Sequence, residues 1–183
     1  YKYKNKTGYT FTDKTDVADF TNALKEYQTI DNNKKLIHMR KIISFMHISL
    51  DGFVAGLNGE MDWIKVDEDI FGYVGQRISE GDPALYGRVT YQMMENYWPT
   101  AGDKPTATRH DIEHSKWYSK VHKIVLSKTM KDAGLTNTKI ISDNLSDSLN
   151  EIKQQAGNDI LLFGSPTATH SLMQLNLIDG YWL

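Results

Sequence analysis

Pro83-Ala84-Leu85-Tyr86-Gly87-Arg88-Val89-Thr90-Tyr91 joins a short apolar run to a glycine, an arginine and a segment of helical character from Thr90 to Asn96. A strand that ends in Gly-Arg and passes straight into a helix brings free backbone N–H groups, the positive end of the helix and a guanidinium to one place. Such a turn is a seat for a phosphate. The pattern recurs where Asp159-Ile160-Leu161-Leu162-Phe163 reads as a buried strand and Gly164-Ser165-Pro166-Thr167 starts another helix, Pro166 being suited to a first helical position. Two seats of this kind suit a ligand with several phosphates, and a nucleotide is the natural candidate.

Outward from these two turns the chain keeps alternating strand and helix. Strands are expected over Lys41–Ile48, Ala84–Tyr86, Lys123–Ser127, Thr138–Ile141, Asp159–Phe163 and from Ile178 onward. Helices are expected over Asp67–Ser79, with Ile70, Phe71, Val74 and Ile78 on one stripe, from Thr90, over Thr108–Tyr118, over Ser146–Gln155 and over Pro166–Leu175. This order indicates an α/β fold, a mostly parallel central sheet with helices on both faces. Residues 1–38 differ in composition, being rich in lysine, threonine and aspartate, with one expected helix from Asp13 to Tyr27. They read as an N-terminal extension to a domain spanning residues 39–183.

The bulk composition narrows the function classes. Among 183 residues there is no cysteine, which excludes a thiol nucleophile, a disulfide framework and a cysteine-ligated zinc site. The formal charge is −2, with lysines and arginines scattered among acids, which argues against a nucleic-acid surface. No apolar run approaches the roughly 20 residues of a membrane span. Tyr1-Lys2-Tyr3-Lys4 leads into polar residues and not an apolar signal core, so the expected location is cytoplasmic.

From Met39 to Leu183 the sequence resembles the dihydrofolate-reductase-like proteins, in particular the bacterial branch related to the C-terminal reductase domain of the bifunctional riboflavin-biosynthesis enzyme. The resemblance rests on Ile48-Ser49-Leu50-Asp51-Gly52-Phe53-Val54-Ala55, Asp62-Trp63-Ile64, Gly87-Arg88-Val89-Thr90-Tyr91 with Tyr97-Trp98-Pro99, Lys123 to Thr129, Asp159 to Ser165, and Leu177-Ile178-Asp179. It implies an NADPH-dependent reductase of a small heterocyclic substrate, similar to 5-amino-6-(5-phosphoribosylamino)uracil reductase. Dihydrofolate reduction and a non-catalytic nucleotide-binding module are the alternatives. The resemblance also implies site residues: Gly87, Arg88 and Thr90, with Ser127, Lys128 and Thr129, would hold phosphates including the 2′-phosphate, and Gly164, Ser165 and Thr167 the pyrophosphate. Arginine and lysine beside helix N-termini are groups that a dianionic phosphate prefers. A homodimer is compatible with the resemblance. Family members add a final antiparallel hairpin beyond the strand near Ile178, which this sequence does not contain, and commonly carry an acid where Gly180 stands.

Reduction of such a ring needs positioning and a proton source. Glu68, close after Trp63, is one candidate acid, and Asp51, in the loop expected beside the nicotinamide, is another. Each has a plain reading too: Asp67, Glu68 and Asp69 complement a helix dipole, and Asp51-Gly52 is an ordinary turn pair. His47 reads as a packed core histidine, while Trp63, Tyr91, Tyr97 and Trp98 are candidates to wall a flat ring. His110-Asp111-Ile112-Glu113-His114 fits the H-x-x-E-H zinc pattern, but its flanks Arg109, Ser115 and Lys116 make the segment polar on all sides. It is expected to be a solvated helix face, with no metal.

Overall fold

The β-branched run Ile42-Ile43 begins a strand whose side chains alternate between two apolar layers, and this alternation organises the whole domain. The computed structural model describes residues 39–64, 68–79, 81–131 and 134–183. The expected extension, residues 1–38, lies outside the described residues. Among the described residues eleven elements follow one another: β1 (Ile42–Phe45), α1 (Glu68–Ser79), β2 (Ala84–Gly87), α2 (Arg88–Ala101), α3 (Arg109–Lys120), β3 (Lys123–Leu126), β4 (Thr138–Ile141), α4 (Leu145–Lys153), β5 (Ile160–Phe163), α5 (Pro166–Gln174) and β6 (Gly180–Trp182).

The six strands form one sheet in the order β4-β3-β2-β5-β1-β6, and every pairing is parallel. Parallel strands need crossovers and are covered on both faces, which is why the inner strands are mostly apolar; all four residues of β5 are apolar and buried. Ile42, Leu85, Ile160 and Leu162 point into one layer, where Leu149 and Ile152 of α4 and Leu172 of α5 meet them. Ile43, Tyr86, Leu161 and Phe163 point into the other, against Val74 and Ile78 of α1, Tyr91 of α2 and Tyr118 of α3. Helices thus lie on both faces, as the alternation of elements required.

The edge strand β6 is tied down by charge as well as by backbone pairing. Asp179 Oδ2 accepts from the Ile42 backbone N–H at 2.7 Å and from Lys153 Nζ at 2.7 Å. The lysine side chain is only 7% exposed, against 33% for the aspartate. This carboxylate therefore fastens the strand entry to β1 and α4 together.

The connection after β2 leads outward to β3, whereas the connection after β5 leads to β6 on the opposite side. Direction of travel reverses between β2 and β5. In open parallel sheets the crevice at the carboxyl ends of such a pair of strands is where ligands bind.

Candidate functional site

Both glycine turns open on that crevice, and they touch. Gly87 is the residue before α2, with extended backbone and no side-chain cap; Ser165 stands before α5, also uncapped, with Pro166 at the first helical position. The Gly87 N–H donates to Ser165 Oγ at 2.9 Å, and the same hydroxyl donates to the Phe163 carbonyl at 2.9 Å. Gly164 and Ser165 both lie in the left-handed region, at φ of +49° and +54°. For glycine this conformation is ordinary, and for serine it is costly, so the two hydrogen bonds hold a strained residue in place.

A methyl group built on Gly164 would approach Thr90 Cγ2 at 3.8 Å, which puts Thr90 directly across from the second turn. Gly87, Thr90, Gly164 and Ser165 therefore form one cluster built from two strand ends and two helix starts. Ser165 is 5% exposed and its hydroxyl is engaged twice within the protein, so what it can offer a ligand is its backbone. Arg88 is exposed and donates to Gln92 Oε1 at 3.1 Å, and Thr167 is exposed on the first turn of α5.

Gly87 is in register with Leu126, which brings Ser127 to the same end of the sheet one strand further out. Ser127 Oγ accepts from the backbone N–H groups of Met130, at 2.9 Å, and Thr129, at 3.3 Å, so it shapes its own loop. Lys128 and Thr129 are exposed beside it.

On the other side of the cluster, toward β1, lies a cavity of about 270 Å³. Its floor is Phe45, Tyr86 and Phe163 from three strand ends, and its walls include Phe71 of α1, Met93, Met94 and Trp98 of α2, and Val54 and Ala55 of the loop after β1. Thr90, Gly164 and Ser165 form part of its rim, so cavity and glycine cluster are continuous. The floor is stacked: Tyr86 lies 5.4 Å from Phe163 in a near-parallel arrangement, and Phe45 meets Phe163 edge-on at 5.9 Å. A flat ring fits such a lining.

Three histidines line the same cavity: His47, His110 and His114. The sequence expectation for each of them is corrected. The segment from His110 to His114 is not solvated on all sides; His114 is 9% exposed and packs on Trp98 at 3.9 Å and Trp117 at 5.0 Å. His110 packs on Phe71 at 4.3 Å. Only the rest of the segment faces outward, with Glu113 paired to Arg109 at 2.8 Å. The stripe His110, His114, Trp117 has helical spacing, and neutral imidazoles behave as aromatic members of it. Burial pushes the His114 pKa down to about 3 and lowers those of His110 and His47. Among the described residues no cluster of three or more metal-ligating side chains occurs. His47 is corrected likewise: it is not packed away in the core but half-buried on the cavity wall, edge-on to Phe45 at 5.4 Å.

Helix α3 is held in place by contacts that fix these rings. Thr108 and Asp111 form a reciprocal capping box at its start. Ser115 Oγ donates to the Trp98 carbonyl at 2.6 Å, and Tyr118 donates to Glu95 Oε2 at 2.8 Å. Gly102 allows the close approach of α2 and α3, since a methyl group there would stand 3.2 Å from Ile112 Cα.

The remaining sequence candidates fall in different places. Asp51 is exposed, accepts from Ser49 Oγ at 2.6 Å and is not among the residues lining the cavity. Glu68 opens α1 one turn before Phe71, and its side chain lies outside the described residues. Of the four aromatics expected to wall a ring, Trp98 does so; Tyr91 is core, and Trp63 and Tyr97 are partly exposed.

A sequence model of the RibD C-terminal domain matches residues 40–183. The chain belongs to the RibD C-terminal domain family. Family membership places it among reductase-type domains related to riboflavin biosynthesis. It is also similar to the uncharacterized protein YyaP of Bacillus subtilis (strain 168), with 33% identity over 154 residues, covering 83% of this chain and 76% of that protein. Among the described residues no helix is long and apolar enough to cross a membrane.

Proposed function

We propose that the chain is an NADPH-dependent reductase of a small heterocyclic substrate, similar in activity to 5-amino-6-(5-phosphoribosylamino)uracil reductase. The observation that carries this reading is the hydrogen bond from Gly87 to Ser165, which locks two uncapped helix starts side by side at the reversal point of the sheet. Two such N-termini present backbone donors and partial positive charge to a pyrophosphate. Gly164 fits the same purpose, because its left-handed backbone and lack of a side chain leave the approach open.

In this reading Gly87, Arg88 and Thr90 bind the phosphates from the β2 side, and Gly164, Ser165 and Thr167 from the β5 side. Lys128, with Ser127 and Thr129, stands one strand outward, where an adenosine 2′-phosphate would be met by an ammonium group. The cavity on the β1 side takes the flat rings and excludes water with its aromatic floor and methionine wall. Bound NADPH supplies a hydride. The chain then has to orient the C1′ carbon of the ribosylamino group, which accepts the hydride, and admit one proton, so that the group becomes ribitylamino while the ring is unchanged. Glu68, at the start of α1, or water is the proton source, and Asp51 serves the turn that carries Val54 and Ala55 to the cavity.

The test is oxidation of NADPH, followed by the absorbance of reduced nicotinamide, with a ribosylaminopyrimidine phosphate and with dihydrofolate. Turnover with the pyrimidine supports the proposal. Turnover with dihydrofolate alone overturns the substrate assignment, and NADPH binding without turnover of either identifies a nucleotide-binding module.

A further inference from the structure

The cavity holds more polar capacity than its hydrophobic lining suggests, and that capacity is concentrated on α3. His110 and His114 both line it, with ring centroids 5.4 Å apart. Among the described residues neither ring makes a hydrogen bond, although His114 is nine-tenths buried. Among the described residues no buried side-chain nitrogen or oxygen is left without a partner, so the unbonded imidazole nitrogens reach accessible space. The cavity that both rings line is such a space, and there the nitrogens are open to the polar groups of a ligand.

We propose that His110 and His114 are specificity-determining residues that read the N–H and C=O edge of a flat, uncharged heterocycle lying against Trp98. This deepens the reductase reading and rests on it for the position of the cofactor on the glycine cluster. Each neutral imidazole offers one donor and one acceptor, so the pair matches an edge on which N–H and C=O groups alternate. Both rings are neutral near pH 7, since burial depresses their pKa values, and neutral rings offer no ion pair to a carboxylate or phosphate. The same two rings border a groove of about 650 Å³ between α1 and α3, so they form the partition between cavity and groove. With a space on either side, a ring that turns one nitrogen to the groove still has one to present to the cavity.

The probe is 5,6-diaminouracil, an uncharged ring with alternating N–H and C=O groups, compared with orotate, which adds a carboxylate to a similar ring. Titration calorimetry is run on the whole chain with and without saturating NADP+, and long-range proton–nitrogen spectra record the imidazole nitrogens of the wild type in both conditions. The expected result is binding of diaminouracil about tenfold or more tighter than orotate, with shifts at the His110 and His114 ring nitrogens. His114→Phe, which keeps an aromatic ring and removes both polar atoms, weakens diaminouracil binding about tenfold with NADP+ affinity unchanged, and His114→Gln recovers part of the loss. Diaminouracil that shifts neither ring in either condition, or that binds His114→Phe as well as wild type, overturns the inference. Failure of NADP+ to bind overturns the reductase reading instead, and the ring spectra without cofactor still decide the role of the histidines.

Discussion

Replacing Ser165 separates two effects that the structure superimposes at one residue. Its hydroxyl accepts from Gly87 and donates to the Phe163 carbonyl, both at 2.9 Å, inside a turn that is 5% exposed. Ser165→Ala removes both bonds with almost no change of volume, leaving a donor and an acceptor short of a partner, at about 1 kcal/mol each and about 2 kcal/mol together. For a domain of this size that is a fall in Tm of about 4–8 °C. Ser165→Gly loses the same bonds but relieves a side chain held at φ of +54°. That relief is worth about 1 kcal/mol, so the glycine variant is destabilised by about 1 kcal/mol only. Thermal and urea unfolding of the three proteins gives the order wild type, glycine, alanine. An alanine variant that melts with the wild type would show that the hydroxyl does not link the turns, and a glycine variant at or below alanine would refute the backbone argument.

Three further outcomes follow from the geometry. Arg88→Ala weakens NADPH binding about tenfold, the scale of one charge-assisted hydrogen bond, with Tm unchanged because Arg88 is exposed and its side chain bonds Gln92 at the surface; fluorescence titration and a thermal melt check both halves. Asp179→Ala leaves the buried Lys153 ammonium and the Ile42 N–H without their carboxylate, and costs about 3 kcal/mol by urea unfolding, toward the lower end for a broken buried pair because Asp179 is part-exposed. Acid weakens the fold through His114: its folded pKa of about 3 lies below the unfolded 6.5, so the unfolded chain binds the extra proton. Its contribution is complete above pH 6.5 and is lost as pH falls toward 3, with a slope approaching about 1.4 kcal/mol per pH unit, and His114→Phe flattens unfolding free energy measured between pH 7.5 and 4.5.

The fold was legible because its punctuation is local. Gly87 and Gly164 mark strand-to-helix turns, Thr108 and Asp111 form a cap that any helix of this sequence would use, and the apolar runs of the inner strands allow only a sheet covered on both faces. The boundaries moved by up to a few residues where frayed ends lack such marks: the strand expected over Lys41–Ile48 pairs only across Ile42–Phe45, since the polar turn after it leaves the sheet. The helix expected from Thr90 begins at Arg88 and runs to Ala101, accommodating Pro99 in its last turn. The α3 face was harder, because polarity judged residue by residue makes His110-Asp111-Ile112-Glu113-His114 a solvated segment. Its helical spacing with Trp117 carried the correct signal, and histidine belongs to whichever layer its neighbours define. Proximity between the two glycine turns was beyond the sequence: nothing local says that β2 and β5, separated by two other strands along the chain, lie side by side.

In the proposed function, the joined turns at β2 and β5 seat NADPH with its nicotinamide toward the aromatic cavity. Trp98 lines that cavity, so energy transfer from tryptophan to reduced nicotinamide reads occupancy directly. Parallel titrations of the chain with NADPH and NADH are predicted to show saturable transfer at micromolar NADPH and clearly weaker binding of NADH. Absence of saturable transfer with either nucleotide, in protein that melts cooperatively, would contradict the account.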